Sequence, residues 1–255
     1  HAHPDHTTKL TKFSEDDDLT VYLHENDLPL YRGRNKGFWQ LQNEHAGKFR
    51  AKLFFHLPRW FFRFFGYYTM GKPPKPDRYP YHLIHDGDIF KGQTYDIEVI
   101  HTPGHTPGHC CYYIKSKKLM FTGDFIETHY NNSPSLNLAA ANYTKYYASS
   151  KKIKDYPIKI MCTGHAVEKY VDLGQSINEI IEEFISLMKN YKQAFIEYIE
   201  KCKKKGRTEL SFNEFKKLDF TPKRIIRKKF LTFLILEDLI EEGRLTQKEK
   251  KLIVE

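Results

Sequence analysis

Cysteine is scarce in this sequence. There are four, Cys110, Cys111, Cys162 and Cys202, and none forms a C-x-x-C pair. Two are adjacent, and adjacent cysteines rarely bridge each other. A disulfide framework is therefore excluded, and buried free thiols in a reducing, cytoplasmic compartment are expected. Long apolar runs are also missing. None approaches the roughly 20 residues that span a bilayer, which excludes a transmembrane helix. No signal peptide is visible and no segment repeats. The chain does not begin with Met, and its first residue already lies inside a histidine motif. It is expected to be a fragment whose natural N-terminus is missing. Acid is under-represented at the other end. Residues 189–255 hold 18 Lys/Arg against 11 Asp/Glu and so carry +7 of the chain's net +9. Such asymmetry can mark an anionic partner, and it equally fits a solvated Lys-rich surface.

The 255 residues, 40% of them hydrophobic, suffice for one large domain or a core with a small appendage. Residues 53–68, LFFHLPRWFFRFFGYY, hold nine aromatics. This segment could pack in a core, wall a pocket, or lie on a membrane surface with Arg59 and Arg63 sharing a face. Asp86-Gly87-Asp88 signals a tight turn. Alternation predicts strands from Tyr95 to His101, from Cys110 to Ile114 and from Leu119 to Thr122, with another at Ile158–Cys162. A helix is predicted over 143–155. A longer one begins at Ser176, where Glu179 completes capping-box spacing, and stops near Gly206. Further helix starts stand at Ser211 and at Thr221-Pro222, the last helix ending at Gly243, and a hairpin is expected around 245–254.

The chemistry lies in four short motifs. His1-Ala2-His3-Pro4-Asp5-His6 puts three imidazoles and a carboxylate in six residues, a donor set suited to zinc and similar cations. His101-Thr102-Pro103-Gly104-His105-Thr106-Pro107-Gly108-His109, Thr122-Gly123-Asp124 and Thr163-Gly164-His165 each follow a predicted strand. Four loops delivering His or Asp in this order point to one metal site.

Together HAHPDH, TPGHTPGH, FTGD and TGH resemble the successive metal motifs of the metallo-β-lactamase superfamily, over roughly residues 1–170. The resemblance implies that His1, His3 and His105 hold one metal, that Asp5, His6 and His165 hold a second, and that Asp124 bridges them. His101 and His109 match no ligand position, and His109 is expected to support a ligand or to pack. Two divalent metals are implied, zinc by default, with iron or manganese as alternatives. They would generate hydroxide as nucleophile, with Asp5 and Asp124 as the catalytic carboxylates. The implied fold is α/β (α+β), a four-layered αββα sandwich, here lacking the N-terminal strands of one sheet. The expected organisation is a partial metallo-β-lactamase domain at 1–172, the start of a connecting helix at 173–189 and a small winged-helix-like C-terminal domain at 190–255.

Substrate choice stays open between two readings. The tail, with NYKQAFIEYIEKC, TPKRIIRKKF and LIEEGRL, is similar to the winged helix of lactamase-β-like proteins, some of which are endoribonucleases. On that reading Lys203, Lys204, Lys205, Arg224, Arg227, Lys228 and Lys229 would grip an RNA backbone by charge. The alternative is a small-molecule thioester, ester or lactone hydrolase resembling the hydroxyacylglutathione hydrolases, with residues 53–68 near the substrate. A third possibility is an inactive fragment whose tail binds nucleic acid or protein.

Overall fold

The computed structural model describes residues 1–13, 18–32, 79–128, 134–135, 142–165, 177–218, 228–248 and 251–255. The aromatic segment 53–68, the helix starts at Ser176 and Thr221, and Arg224 and Arg227 lie outside them. So do the side chains of Asp5, Lys228 and Lys229.

The chain opens on one helical turn, α1 (Pro4–Thr7). Proline suits this first position because its missing N–H would have no helical partner there. Strand β1 (Val21–His24) and helix α2 (Leu28–Arg32) follow. Next come β2 (Tyr81–Ile84), β3 (Ile89–Phe90), β4 (Ile97–His101), β5 (Cys110–Ile114) and β6 (Leu119–Gly123). A small pair, β7 (Glu127–Thr128) and β8 (Pro134–Ser135), precedes helix α3 (Tyr143–Lys154) and strand β9 (Ile160–Thr163). The long helix α4 (Ile177–Lys204) leads into β10 (Glu209–Ser211), α5 (Phe212–Lys217), α6 (Lys228–Glu241), β11 (Leu245–Lys248) and β12 (Lys251–Val254).

Five strands form the main sheet in the order β3-β4-β5-β6-β9. Strands β3 to β6 are antiparallel neighbours, and β9 joins β6 in parallel. It follows that β4, β6 and β9 run the same way and end on one edge. The three histidine and aspartate motifs after these strands are thereby brought together.

The two-residue period of the strands sorts the core onto two faces. Ile100, Cys111, Tyr113 and Met120 pack with Tyr143, Tyr146 and Ile153 of α3. Val99 and Cys110 face the other way, against Ile84 of β2. A helical layer thus covers one face, and the parallel β1–β2 pair stands on the other. Each large apolar side chain buried in this way contributes about 1.5–3 kcal/mol.

Along α4 the buried positions Ile177, Ile181, Phe184, Met188, Tyr191, Phe195, Ile199 and Cys202 recur at helical spacing. The helix ends where Gly206 adopts a left-handed backbone (φ 70°) and the Arg207 N–H reaches back to the Cys202 carbonyl. Helix α6 follows the same rule at Gly243, with the Arg244 N–H on the Leu239 carbonyl. Helix α6 is unusual in that residues 231–236 are buried without interruption. A helix apolar on every side belongs inside a core. Here that core runs continuously from Met120 and Tyr146, through Phe184 and Met188, to Phe215, Leu234 and Leu252.

Three details depart from the sequence expectation. The strand expected from Tyr95 begins at Ile97, because β3 is only two residues long and pairs with Ile97 and Glu98 alone. The expected hairpin β11–β12 gains a third strand, β10, on its β12 side. The first histidine motif, expected on a loop, turns into α1 at Pro4. All four cysteines are free, as expected, and Cys110, Cys111 and Cys202 are buried.

Candidate metal centre

Asp124 stands just beyond β6, 1% exposed, and four imidazoles surround its carboxylate. His6 Nε2 lies 3.0 Å from Oδ1, and His165 Nε2 lies 3.1 Å from Oδ2. His105 Nε2 and His1 Nε2 stand 3.5 and 3.6 Å from Oδ2. His3 completes the group, with Nδ1 3.0 Å from His105 Nε2. The donors fall into two overlapping sets, one of His1, His3, His105 and Asp124, the other of His6, Asp124 and His165. Within each set the ligating atoms lie within 4.8 Å of one another. Six of the seven ligand candidates are therefore brought together. The side chain of the seventh, Asp5, is outside the described residues.

The donor chemistry fits divalent cations. Burial, followed by the charges of His105 and His6, holds the His3 imidazole well below its usual pKa, so its ring stays neutral with a lone pair to offer. Burial pushes the Asp124 carboxyl up, but the His6 hydrogen bond and the charges of His105, His6 and His165 outweigh it and keep the group ionised. A neutral imidazole such as that of His3 and an ionised carboxylate are the forms that bind a cation.

Supporting residues hold these groups in place. The Gly164 N–H donates to the Gly123 carbonyl at 2.7 Å, tying the Asp124 loop to the His165 loop. His109 takes no part in either set. It is fully buried, stacks on His1 with centroids 5.1 Å apart, and sets Nδ1 2.9 Å from the Thr102 hydroxyl. His101 also stays outside. Its Nε2 lies 2.9 Å from the Pro107 carbonyl, and its ring stacks on His24 at 3.8 Å.

One residue escaped sequence reasoning. Asp27, wholly buried, accepts hydrogen bonds from both ligand loops. Nothing in its neighbourhood, Glu25-Asn26-Asp27-Leu28, resembles a ligand motif. A carboxylate beside other polar residues reads as surface, and only its burial gives it away.

Of the basic candidates, Lys203, Lys204 and Lys205 are exposed at the C-terminal end of α4. They lie in the tail, whose Asp238 meets both Lys192 of the tail itself and Thr144 of α3. Lys192 Nζ is 2.5 Å from Asp238 Oδ2, and the Thr144 hydroxyl of α3 donates to the same carboxylate. Among the described residues no helix is long and apolar enough to cross a membrane.

Comparison with known proteins gives three findings. The family model described as the metallo-beta-lactamase superfamily matches residues 1–165. A hydroxyacylglutathione hydrolase from Pelagibacter ubique is 34% identical over 89 residues, covering 34% of this chain and 35% of that protein. A probable metallo-hydrolase from Bacillus subtilis is 30% identical over 127 residues, 49% of this chain and 46% of the other. The chain thus spans less than half the length of these relatives. Among solved structures, a metallo-beta-lactamase family protein from Thermus thermophilus shares the fold with TM-score 0.61 and 18% identity, over 92% of this chain and 72% of that one. A beta-lactamase domain protein from Burkholderia ambifaria does so with TM-score 0.62 and 17% identity, over 100% and 72%.

Proposed function

This chain belongs to the metallo-beta-lactamase superfamily, and from that premise we propose that it hydrolyses small-molecule thioesters or esters at a two-metal centre. The observation that carries the proposal is the sharing of Asp124 between two ligand sets. His1, His3 and His105 would hold one cation, Asp5, His6 and His165 the other, with Asp124 common to both. Zinc suits this mixture of imidazole and carboxylate donors, and iron or manganese are the alternatives. When bound, such cations supply Lewis acidity toward the substrate carbonyl and bring the pKa of water toward neutrality.

The chain's own groups do the rest. Asp124, kept ionised, offsets the positive charge and fixes the spacing of the two sets. Asp5 is assigned to hold a proton of the attacking water. Covalent catalysis by cysteine is disfavoured, since burial pushes the Cys110 and Cys111 thiols up to about 12 and leaves them protonated at neutral pH.

The thioester class is supported by relatives bearing the names hydroxyacylglutathione hydrolase and, in Aspergillus fumigatus, atrochrysone carboxyl ACP thioesterase. Metal analysis followed by a panel of S-lactoylglutathione, acyl lactones and single-stranded RNA tests it. Thioester turnover that disappears in Asp124→Ala is expected. RNA cleavage without thioester turnover would overturn the substrate class.

The RNA reading has one observation in its favour. The order α4-β10-α5-α6-β11-β12 is winged-helix-like, and Lys203, Lys204 and Lys205 are exposed beside it. Against it, residues 231–236 of α6, the helix that would meet a groove, are buried in the chain's own core. We therefore assign the tail, residues 190–255, first to completing the core of residues 1–172. RNA affinity that falls steeply with salt would restore the second reading.

A further inference from the structure

Asp27 lies between β1 and α2, outside every ligand motif and with no exposed surface. Its Oδ2 accepts the Ala2 N–H and the Thr106 hydroxyl, both at 2.9 Å. Its Oδ1 accepts the Gly108 N–H at 2.7 Å. Ala2 separates His1 from His3, Thr106 follows His105, and Gly108 precedes His109, which stacks on His1. The approach is so close that a Cβ on Gly108 would stand 2.8 Å from Asp27 Cγ, which leaves room only for glycine. Each bond therefore ends within three residues of a member of the first ligand set. None reaches the backbone beside His165.

Burying a carboxylate is costly unless its oxygens are satisfied by good donors. Among the described residues no Lys or Arg forms an ion pair with Asp27, so the three donors and the neighbouring centre supply the compensation. Hydrogen bonds to a charged acceptor are roughly twice as strong as neutral ones. They also fix direction, which a packed apolar side chain would not.

We propose that Asp27 is a positioning residue that pre-sets the distance between the His1/His3 loop and the His105 loop, and so determines the affinity of one cation of the pair. The inference rests on the two-metal reading above. It makes the two sites unequal in their dependence on Asp27: the set of His1, His3 and His105 needs it, while the set of His6 and His165 does not.

The test is titration of the whole metal-free chain with Co(II), followed by absorption spectra and chelator competition. Wild-type protein should bind two equivalents. In Asp27→Asn an amide NH2 must face at least one of the three donors, and one equivalent should weaken by about 10–100-fold, the range found for groups that orient metal ligands. The other equivalent should change by less than about 3-fold on the same scale. Thr106→Ala removes one of the three bonds and should weaken the same equivalent by a smaller factor. It also carries the test if Asp27→Asn does not fold. Asp238→Asn, which disturbs a buried carboxylate belonging to neither ligand set, should leave both equivalents unchanged. Equal weakening of both equivalents, or of neither, overturns the proposal while leaving the two-metal reading intact. A wild-type chain that binds no Co(II) overturns both.

Discussion

Asp124 draws together charge, burial and geometry more than any other residue of the centre. Four imidazole nitrogens lie within 3.6 Å of its oxygens, and it is the one member common to both ligand sets. Asp124→Ala should lower kcat/KM for the best thioester by a factor on the order of 10³ or more, the scale of losing a principal charge-stabilising group. Metal content measured on the same variant should fall with it. Burial also holds His3 and His109 well below the usual histidine pKa. Below about pH 6.5 the unfolded chain binds protons at these positions that the folded chain refuses. The metal-free protein should therefore lose stability as pH falls from 6.5, by up to about 1.4 kcal/mol per pH unit for each histidine. Denaturant unfolding at pH 7.5 and 5.5 measures this, and His109→Asn should reduce the slope. A midpoint independent of pH would contradict the assignment of both rings as neutral.

At the scale of elements, strand direction and helix ends account for most of the architecture. Helix α5 shows how a short element is held. Glu214 accepts the Ser211 N–H at 2.9 Å, the Tyr198 hydroxyl at 2.7 Å and the Arg207 guanidinium at 2.7 Å. Burial alone would push its carboxyl up, but these donors outweigh it and bring it down to about 2. Its stabilisation is thus complete above the usual glutamate pKa and is lost as pH falls through about 2. Glu214→Ala should cost about 1 kcal/mol at neutral pH, the typical worth of a helix cap. The loss should shrink in acid, where the wild-type carboxyl is itself protonated. Chemical denaturation at neutral pH and at about pH 2 checks both statements.

For the whole molecule, the continuous core from Met120 to Leu252 is the governing fact. Helix α4 runs unbroken past residue 190, and the Thr144–Asp238–Lys192 contacts fasten α3 to α6. The tail and the sheet that carries the candidate metal ligands should accordingly unfold together. Phe215→Ala removes a fully buried ring of the tail and should cost about 3–5 kcal/mol. The cost should appear equally in helix content and in metal retention. Coincident transitions by the two probes are expected, and a tail that melts alone would contradict a shared core. Added metal should raise the midpoint of that single transition, the folded state gaining about 4 kcal/mol per site at a thousandfold excess over Kd.

Much of this protein was legible in its sequence because the signals were local. The strand at Cys110–Ile114 and the helix beginning at Tyr143 follow from alternation and periodicity within a dozen residues. The helix stops at Gly206 and Gly243 follow from the need for a left-handed backbone. The imidazole and carboxylate ligand candidates announce themselves because a metal constrains residue type as well as position. What only the tertiary structure decided involves partners distant along the chain. Asp27 became a brace through Ala2, Thr106 and Gly108, up to 81 residues away. Strand β10 is three residues long and gains its identity only by pairing with β12. The basic tail suggested a nucleic-acid grip, yet the apolar residues of α6 found their cover inside the chain. Composition records which residues seek burial, and the neighbours that bury them are fixed only when the chain closes on itself.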